Sequence, residues 1–247
     1  MNIVLLGHDD APSLYALSLL VRRAPAHDYR CFLSGPVGGD PAHAALERLA
    51  GIDRDLRERL RADPAFPAVL AGAEDLPAPN SPEGLERLAA AAPDLVVSIR
   101  YRRILRDAAI AIPAHGVLNL HSGILPDYKG VMATFWAMLA GERDIGSTLH
   151  RIVDAGIDTG PVIGIARHPV DPAGSYLANL LAMYPAGVAM MAGAIEVLAA
   201  GRALAVAPQA GHEGRYFSAP DAAAVDRFLS GGLELARSAT ADFPKKF

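Results

Sequence analysis

Three polar residues near the middle of the chain, Asn119, His121 and Asp158, have side chains whose chemistries complement one another. An asparagine amide and a histidine N–H aimed at one point are hydrogen-bond donors suited to a developing oxyanion. A nearby carboxylate holds the imidazole in one tautomer and moves a proton during a reaction. Together these residues predict a site that stabilises negative charge on an oxygen atom.

The spacing of Asn119 and His121 places both side chains at one end of a strand. They follow a short apolar run and are separated only by Leu120. Because alternate residues of a strand share a face, both polar groups are expected to point the same way. The Pro- and Gly-bounded stretch 125–130 (LPDYKG) cannot continue the strand, which predicts a loop over the strand's carboxyl end.

The carboxylate is expected on a loop that a second strand brings to the same place. Residues 131–140 are predicted to form a helix with an apolar face, and residues 148–153 alternate like a strand. The segment DAGIDTG that follows is a Gly-hinged turn with two carboxylates, Asp154 and Asp158. Two strand-end polar residues and this carboxylate loop form the best candidate site in the sequence.

The remaining pattern predicts an α/β fold with a mostly parallel, twisted sheet and helices on both faces. The predicted strands are 2–6, 29–34, 94–98, 117–121, 148–153 and 161–166. The predicted helices begin with one N-capped by Ser13 and continue with 101–111, 131–140, 174–200 and 220–236, whereas 42–88 is mostly helical without an assignable strand. Residues 1–206 are expected to form the catalytic domain, and residues 207–247 a small C-terminal annex. In such sheets ligands bind at the carboxyl ends of the strands, where Asn119 and His121 are expected.

Composition excludes several classes of protein. Of the 247 residues, 51% are apolar, which is enough for a full core. The formal net charge of −4, without runs of like charge, gives no sign of a nucleic-acid surface. Cys31 is the only cysteine, and no HExxH, CxxC or carboxylate-rich loop predicts a metal. The N-terminus lacks a basic n-region and no long apolar stretch has membrane-compatible flanks, so a cytoplasmic protein without membrane contact is expected.

Other conspicuous residues have simpler explanations. His8 and His43 are predicted to lie at the surface, and His115 is expected to be a solvated loop imidazole. His150 is a lone histidine in a strand, a position more often filled for packing. Trp136 is expected to pack in the core. Gly7 is the only glycine of the first loop, which therefore lacks the repeated glycines with which a phosphate-binding loop approaches its anion.

Two blocks of the chain resemble the formyltetrahydrofolate-dependent formyltransferase family, which includes glycinamide-ribonucleotide, methionyl-tRNA and sugar-nucleotide N-formyltransferases. Asn119-Leu120-His121-Ser122-Gly123-Ile124-Leu125-Pro126-Asp127-Tyr128-Lys129-Gly130 is similar to the family's Asn-x-His motif and the LLP-x-Y-x-G that follows it. Residues 153–161 (VDAGIDTGP) are similar to the block that carries the catalytic aspartate. The sequence HSG in place of the commoner His-Pro-Ser is a departure that leaves the three polar residues intact.

The resemblance implies a Rossmann-like formyltransferase fold, 10-formyltetrahydrofolate as co-substrate, no metal, and Asn119, His121 and Asp158 as the catalytic residues. The upstream DLVVSIRYRRIL is similar to the segment whose backbone holds the pterin. The implied folate-binding residues are Arg103, Ile104, Leu105, His150, Ile152 and Asp154. The predicted acceptor-binding residues are Tyr128 and, at the carboxyl end of the first strand next to the ligand crevice, Asp9 and Asp10. Asp9 and Asp10 would meet a neutral or cationic part of the acceptor, the alternative being that both cap the first helix and face water.

Three functions compete at this stage. The first is transfer of the formyl group to a primary amine of a small metabolite, such as an amino sugar, an amino acid or a siderophore or antibiotic precursor. The second is hydrolysis of formyltetrahydrofolate, and the third is a binding protein that keeps the fold without the chemistry. A transfer-RNA acceptor is disfavoured by the short stretch after residue 206 and by the negative charge. The acceptor and the oligomeric state, with a homodimer as one option, stay open.

Overall fold

The fold is built on a seven-stranded sheet that carries the candidate site at the ends of its central strands. In the computed structural model of the chain, residues 1–35, 39, 41–209 and 213–243 are described. In chain order their strands are β1 (Asn2–His8), β2 (Asp28–Ser34), β3 (Glu74–Asp75), β4 (Leu95–Ile99), β5 (Val117–His121), β6 (Lys129–Gly130), β7 (Asp144–Ile152), β8 (Val162–Pro169) and β9 (Tyr216–Phe217). Their helices are α1 (Ala11–Arg23), α2 (Ala44–Ala62), α3 (Ala68–Ala71), α4 (Pro82–Ala90), α5 (Asp107–Ile110), α6 (Ala133–Leu139), α7 (Tyr176–Ala199) and α8 (Ala222–Ser230).

The strand order of the described sheet is β3-β2-β1-β4-β5-β7-β8. The first five strands in this order run parallel, and β7 and β8 continue the sheet in antiparallel fashion. Parallel neighbours need crossover connections, and helices supply them here. The predicted mostly parallel α/β sheet is confirmed. The short strands β6 and β9 pair with each other in a separate ribbon.

Alternating side chains of the strands bury two apolar clusters, one on each face of the sheet. On β1, Ile3 and Leu5 belong to a large cluster that also contains buried residues of α1 and α7. Val4 and Leu6 point the other way, into a smaller cluster with Leu88 of α4. The predicted cover of helices on both faces, in a Rossmann-like arrangement, is therefore confirmed.

The same alternation on β5 decides where the candidate residues point. Leu118 and Leu120 are buried in the large cluster, whereas Val117 is buried in the smaller one. Asn119 and His121 share the face of Val117 but lie further toward the carboxyl end of the strand. At that end the face opens into a cavity.

Helix α1 begins earlier than the sequence predicts. Its N-cap is Asp10, whose backbone is extended and whose Oδ1 accepts a hydrogen bond from the N–H of Ser13 at 2.9 Å. The prediction of Ser13 as the N-cap is therefore wrong. A carboxylate accepts a hydrogen bond from an otherwise unpaired N–H of the first turn. Its negative charge also interacts favourably with the positive end of the helix dipole, so Asp10 is the better cap.

The helix predicted over residues 101–111 is reduced to α5. Asn80 holds the preceding backbone in a non-helical conformation, donating to the Ile104 carbonyl at 2.8 Å and accepting from Arg106 N at 2.8 Å. A side chain that satisfies both a carbonyl and an N–H competes with helix formation for those groups. Segment 42–88 is mostly helical, as predicted, and its strand β3 has only two residues at the sheet edge.

The described part of the C-terminal segment packs into the large cluster. Phe228 of α8 stacks on Phe135 of α6 with the ring centroids 4.5 Å apart, and the Tyr176 N–H donates to the Glu234 carbonyl. Asp242 accepts a 2.6 Å hydrogen bond from the Ser175 hydroxyl at the start of α7. The division at residue 206 stays a prediction, but these contacts tie the two parts together.

Among the described helices, α7 has the length and apolar composition of a membrane span, so its packing decides how it is interpreted. It packs against α1, α6, β5, β7 and β8, and its buried residues include Tyr184 and Met191. These contacts are those of a core helix lying across a sheet.

Candidate active site

A cavity of about 370 Å³ opens at the carboxyl ends of β4 and β5. Its walls come from segments within residues 98–105, 119–122, 130–132 and 150–158, together with residues 216 and 219. This volume lies within the range of small-molecule sites, and the position is the one expected for ligands in open α/β sheets. Asn119, His121 and Asp158 all line this cavity.

Asn119 and His150 are cross-strand partners on β5 and β7 and touch through their side chains. Asn119 Nδ2 lies 2.9 Å from His150 Nε2, and His150 Nδ1 lies 3.0 Å from the Arg151 carbonyl oxygen. Because a carbonyl only accepts, Nδ1 carries the hydrogen and Nε2 accepts from the Asn119 amide. One N–H of Asn119 is thereby held by His150, which fixes the direction of the other.

His121 is held between two acceptors. Its Nε2 lies 2.6 Å from the Tyr128 carbonyl oxygen, and its Nδ1 lies 3.4 Å from Asp158 Oδ2. Because a carbonyl only accepts, the 2.6 Å contact places a hydrogen on Nε2, and Nδ1 faces the carboxylate at an ion-pair distance. When Nδ1 is also protonated, the imidazolium forms an ion pair with Asp158.

Asp158 is anchored from several sides on a constrained loop. Its backbone φ of 54° lies in the left-handed region, and its Oδ2 accepts from Gly130 N at 2.8 Å. Its carbonyl accepts from Gln209 Nε2 at 2.6 Å, and the same amide also donates to Gly160 O. The carboxylate is thus pre-positioned between the rings of His121 and His150.

The charge state of Asp158 follows from these neighbours. Burial by itself would raise its pKa, but the nearby His121 ring and the Gly130 N–H, which donates to the carboxylate, bring the pKa down to about 2. The group is therefore ionised at neutral pH.

The residues predicted to bind folate line the same cavity, and their side chains differ in exposure and in hydrogen bonding. Leu105 is buried, Ile104 is 51% exposed, and Arg103 Nε donates to the Pro77 carbonyl at 2.8 Å. Ile152 and Asp154 also line the cavity. The full predicted set that lines the cavity is Arg103, Ile104, Leu105, His150, Ile152 and Asp154.

The three residues predicted to bind the acceptor do not line the cavity. Asp10 caps α1 and forms a bidentate ion pair with Arg100, with N–O distances of 2.7 to 3.2 Å. Asp9 pairs with Arg57 and Arg61 at 2.6 and 2.9 Å. The negative charge expected in this loop is therefore neutralised by arginines.

Tyr128, the third of these residues, uses its side chain elsewhere. Its hydroxyl donates to Glu142 at 2.8 Å, and its ring stacks on Phe217 with a centroid separation of 5.5 Å. Only its carbonyl reaches the site, where it binds His121.

One histidine outside the cavity, His8, is not the surface residue that the sequence predicts, whereas the His43 side chain is partly exposed. His8 is 7% exposed, with its Nδ1 3.1 Å from the Ser34 hydroxyl. Burial lowers its pKa to about 4 despite the attraction of Asp10, so the surface prediction for His8 is wrong. His43 caps α2 by accepting from Ala45 N.

Several residues of the site are missing from the sequence predictions. Gln209 holds the Asp158 loop, and Arg100 and Arg102 line the cavity just after β4. The two arginines could have been found by the rule that selects Asn119, because they also follow the carboxyl end of a buried parallel strand. Gln209 carries no such local signal, because its partners are about fifty residues away in sequence.

The fold is a mostly parallel α/β sheet, and its cavity brings together the side chains of Asn119, His121 and Asp158. The family model described as formyl transferase matches residues 54–180, just over half of the chain. The chain therefore belongs to the formyl transferase family. Among curated proteins it is similar to the methionyl-tRNA formyltransferase of Mycolicibacterium vanbaalenii, with 35% identity over 163 residues that cover 57% of this chain and 52% of that protein.

Solved structures share the fold at lower identity. The glycinamide ribonucleotide transformylase 1 of Symbiobacterium toebii superimposes with a TM-score of 0.58 and 23% identity, covering 83% of this chain and 92% of that one. The formyltransferase PseJ of Anoxybacillus kamchatkensis, in complex with UDP-4,6-dideoxy-4-formamido-L-AltNAc and tetrahydrofolate, superimposes with a TM-score of 0.53 and 17% identity, covering 96% and 99%. At these identities the likeness shows the fold. The chain spans about a third to a half of the curated relatives that it matches.

Proposed function

We propose that the protein transfers the formyl group of 10-formyltetrahydrofolate to a primary amine of a small metabolite. The observation that carries the proposal is the convergence of Asn119, His121 and Asp158 on one cavity at the carboxyl end of β5. Membership of the formyl transferase family supports the formyl group as the one transferred. The tetrahydrofolate bound in one structural neighbour supports the donor.

The three residues have complementary roles in this reaction. As the amine nitrogen attacks the formyl carbon, the formyl oxygen gains negative charge, which the second N–H of Asn119 and the charged His121 ring stabilise. The amine must lose a proton, and the folate N10 must gain one as its bond to the formyl carbon breaks. Asp158, ionised and beside His121, accepts the first proton and the pair returns it to N10.

Apolar side chains at the cavity mouth fit the flat part of a folate. Ile104, Val131, Ile157 and Tyr216 line the cavity, and their exposures of 37 to 57% are high for large apolar residues. Such a group of exposed apolar side chains favours a ligand that covers it. The pterin would lie against residues 103–105 and the 152–158 loop, with the aminobenzoyl group near this rim.

The size of the cavity and the net charge of the chain favour a small acceptor. A cavity of about 370 Å³ that also receives part of the folate leaves room for an amine of metabolite size. The net charge of −4 gives no electrostatic attraction for a nucleic acid. Acceptance of a transfer RNA, the substrate in the names of the curated relatives, is the competing assignment.

The deciding experiment follows tetrahydrofolate release from 10-formyltetrahydrofolate with and without a panel of amines. Release that depends on an amine and yields the formamide supports the transferase. Release at the same rate without any amine would identify a hydrolase, and no release in either case would leave a binding protein. Asp158→Asn serves as the control that keeps the shape of the site and removes its charge.

A further inference from the structure

Two arginines on the cavity wall after β4 share a single buried carboxylate. Arg100 and Arg102 line the cavity beside Asn119, because Ser98 of β4 pairs with Asn119 of β5. Arg100 binds Asp10 through Nε and a terminal nitrogen, and both side chains are nearly buried, at 13% and 10% exposure. The charge of Arg100 is thus compensated within the protein.

Arg102 has no comparable partner among the described residues. Its nearest carboxylate atom is Asp10 Oδ2 at 3.7 Å, and that oxygen already accepts two hydrogen bonds from Arg100. Its guanidinium, 37% exposed, makes no hydrogen bond within the described part of the chain. A guanidinium carries five donors and is matched by a carboxylate or phosphate that binds in bidentate fashion.

The surroundings of Arg102 leave its charge incompletely balanced. Its pKa is lowered, first by burial and then by the charge of Arg100, while Asp10 and Asp53 act in the other direction. The other acidic neighbour, Asp53, is already engaged, since its Oδ1 accepts from Ala11 N at 2.9 Å and its Oδ2 lies 3.3 Å from Arg57 Nε.

Backbone contacts fix the position of Arg102 on the cavity wall. Its N–H donates to the Ser34 hydroxyl at 3.1 Å, which ties the segment after β4 to the end of β2. Arg100, two residues earlier, has a φ of 61°, a left-handed conformation that is rare for a side chain of this size. Strain of this kind persists only where the surroundings enforce it, here through the ion pair with Asp10.

We propose that Arg102 binds an oxyanion of the acceptor, a carboxylate or a phosphate, while the acceptor's amine lies at Asn119, His121 and Asp158. The inference rests on the proposed function and names the acceptor as an anionic amine. It differs from the expectation of a neutral or cationic group at the first loop, because Arg102 lines the cavity whereas Asp9 and Asp10 do not.

The kinetic test compares matched amines that differ only in the anion. An amino acid is paired with its amide, and an amino sugar phosphate with the free amino sugar, at saturating 10-formyltetrahydrofolate. The anionic member of at least one pair is expected to have the higher kcat/KM. A preference in the amino acid pair indicates a carboxylate, and a preference in the amino sugar pair indicates a phosphate. Arg102→Gln should raise KM for that acceptor about 10- to 100-fold, as for the loss of a charged hydrogen-bond partner, with KM for the folate unchanged.

The matched control is Arg106→Gln, which removes the same charge from the same segment at an exposed position outside the cavity wall. Equal effects of the two substitutions, or no preference for the anionic member of any pair, would overturn the proposal. Failure of the proposed function is distinct, since no amine would then increase tetrahydrofolate release.

Binding of the anion is also measured without turnover. Orthophosphate and acetate are titrated into the wild type and both variants in the presence of a folate analogue. At least one anion is expected to bind the wild type and Arg106→Gln and to lose at least tenfold in affinity in Arg102→Gln. If neither anion binds the wild type, or if Arg102→Gln binds as the wild type does, the inference is wrong.

Discussion

His150 holds one N–H of Asn119 through a 2.9 Å contact between Nε2 and the amide nitrogen. The two residues are opposite one another on β5 and β7, and the Arg151 carbonyl fixes the tautomer that makes Nε2 the acceptor. His150 is 2% exposed, so no water replaces this partner at low cost. The oxyanion donor of the proposed reaction is thus oriented by a residue on the neighbouring strand.

Replacing His150 tests this orienting role. We expect His150→Leu to lower kcat about tenfold, a fraction of the 100- to 1000-fold loss typical when an oxyanion donor is removed outright. His150→Gln, which keeps an acceptor in place of Nε2, should recover much of that loss. Steady-state kinetics with thermal melting of each variant separate the roles, because a packing role would change stability and leave the two variants alike in kcat.

Asp158→Asn is expected to keep the fold and lose turnover on the order of 100-fold or more, since it removes both the negative charge beside His121 and the proton acceptor. Single-turnover formyl transfer under saturating folate measures the chemical step directly. Asp144→Asn is the matched control, because it removes the same charge from an exposed residue of β7 that does not line this cavity. Near-normal turnover in Asp158→Asn would contradict the proposed mechanism.

The low pKa of Asp158 also predicts how stability depends on pH. The folded-state pKa of about 2 lies below the reference value of 3.8, so the ionised group stabilises the fold at pH values above the unfolded pKa. This contribution, about 2 kcal/mol by linkage, is lost as the pH falls from about 4 to about 2. Denaturant unfolding of the wild type and Asp158→Asn at several pH values should therefore show a difference that shrinks over this interval. A difference that stays constant would show that the carboxylate is not specifically stabilised.

Part of this site can be predicted from the sequence because it depends on local periodicity. The alternation around Leu120 correctly places Asn119 and His121 on one face, and the Gly-rich turn places Asp158 on a loop. The pairing of Asp10 with Arg100 could not be predicted in this way, since it joins residues 90 positions apart. For the same reason the neutralisation of the first-loop carboxylates by arginines could not be predicted from the sequence.

Some errors in the predicted elements have the same origin. Residues 101–111 have a composition typical of a helix. However, the side chain of Asn80, which lies in an earlier loop, forms hydrogen bonds with backbone groups that the helix would use. His8 looks like a loop residue, yet it is the last residue of β1 and packs against Ser34 at the end of β2. Tertiary contacts override local preference at both positions.

Replacing Asp10 by Asn should lower the free energy of unfolding much more than replacing Asp9 by Asn. Asp10→Asn leaves the buried Arg100 without its charged partner, for which the typical cost is about 3 to 5 kcal/mol, although Asn can still cap α1. Asp9→Asn breaks pairs that are partly exposed to solvent, worth about 0 to 1 kcal/mol. Denaturant unfolding measures both. A raised KM for the acceptor in Asp9→Asn, without loss of stability, would restore the acceptor role that the ion pairs argue against.

Gly123 provides the space in which His121 meets the Tyr128 carbonyl. A Cβ at this position would lie 2.7 Å from His121 Nε2 and 2.7 Å from Tyr128 O, and 2.6 Å from the Ala133 Cβ. Contacts this short force the neighbours apart, and two of these three atoms belong to backbone or to a residue of the core. Gly123→Ala is therefore expected to displace His121, lowering kcat at least tenfold with a moderate loss of stability.

The control for this effect is Gly141→Ala, at a positive φ of 76° with no heavy atom near the added Cβ. It should cost stability through backbone strain alone and leave kcat unchanged. Comparing kcat and melting temperature for the two variants isolates the contribution of the His121 position. If Gly123→Ala lost stability to the same extent as Gly141→Ala but kept full kcat, the contact between His121 and the Tyr128 carbonyl would not matter for the reaction.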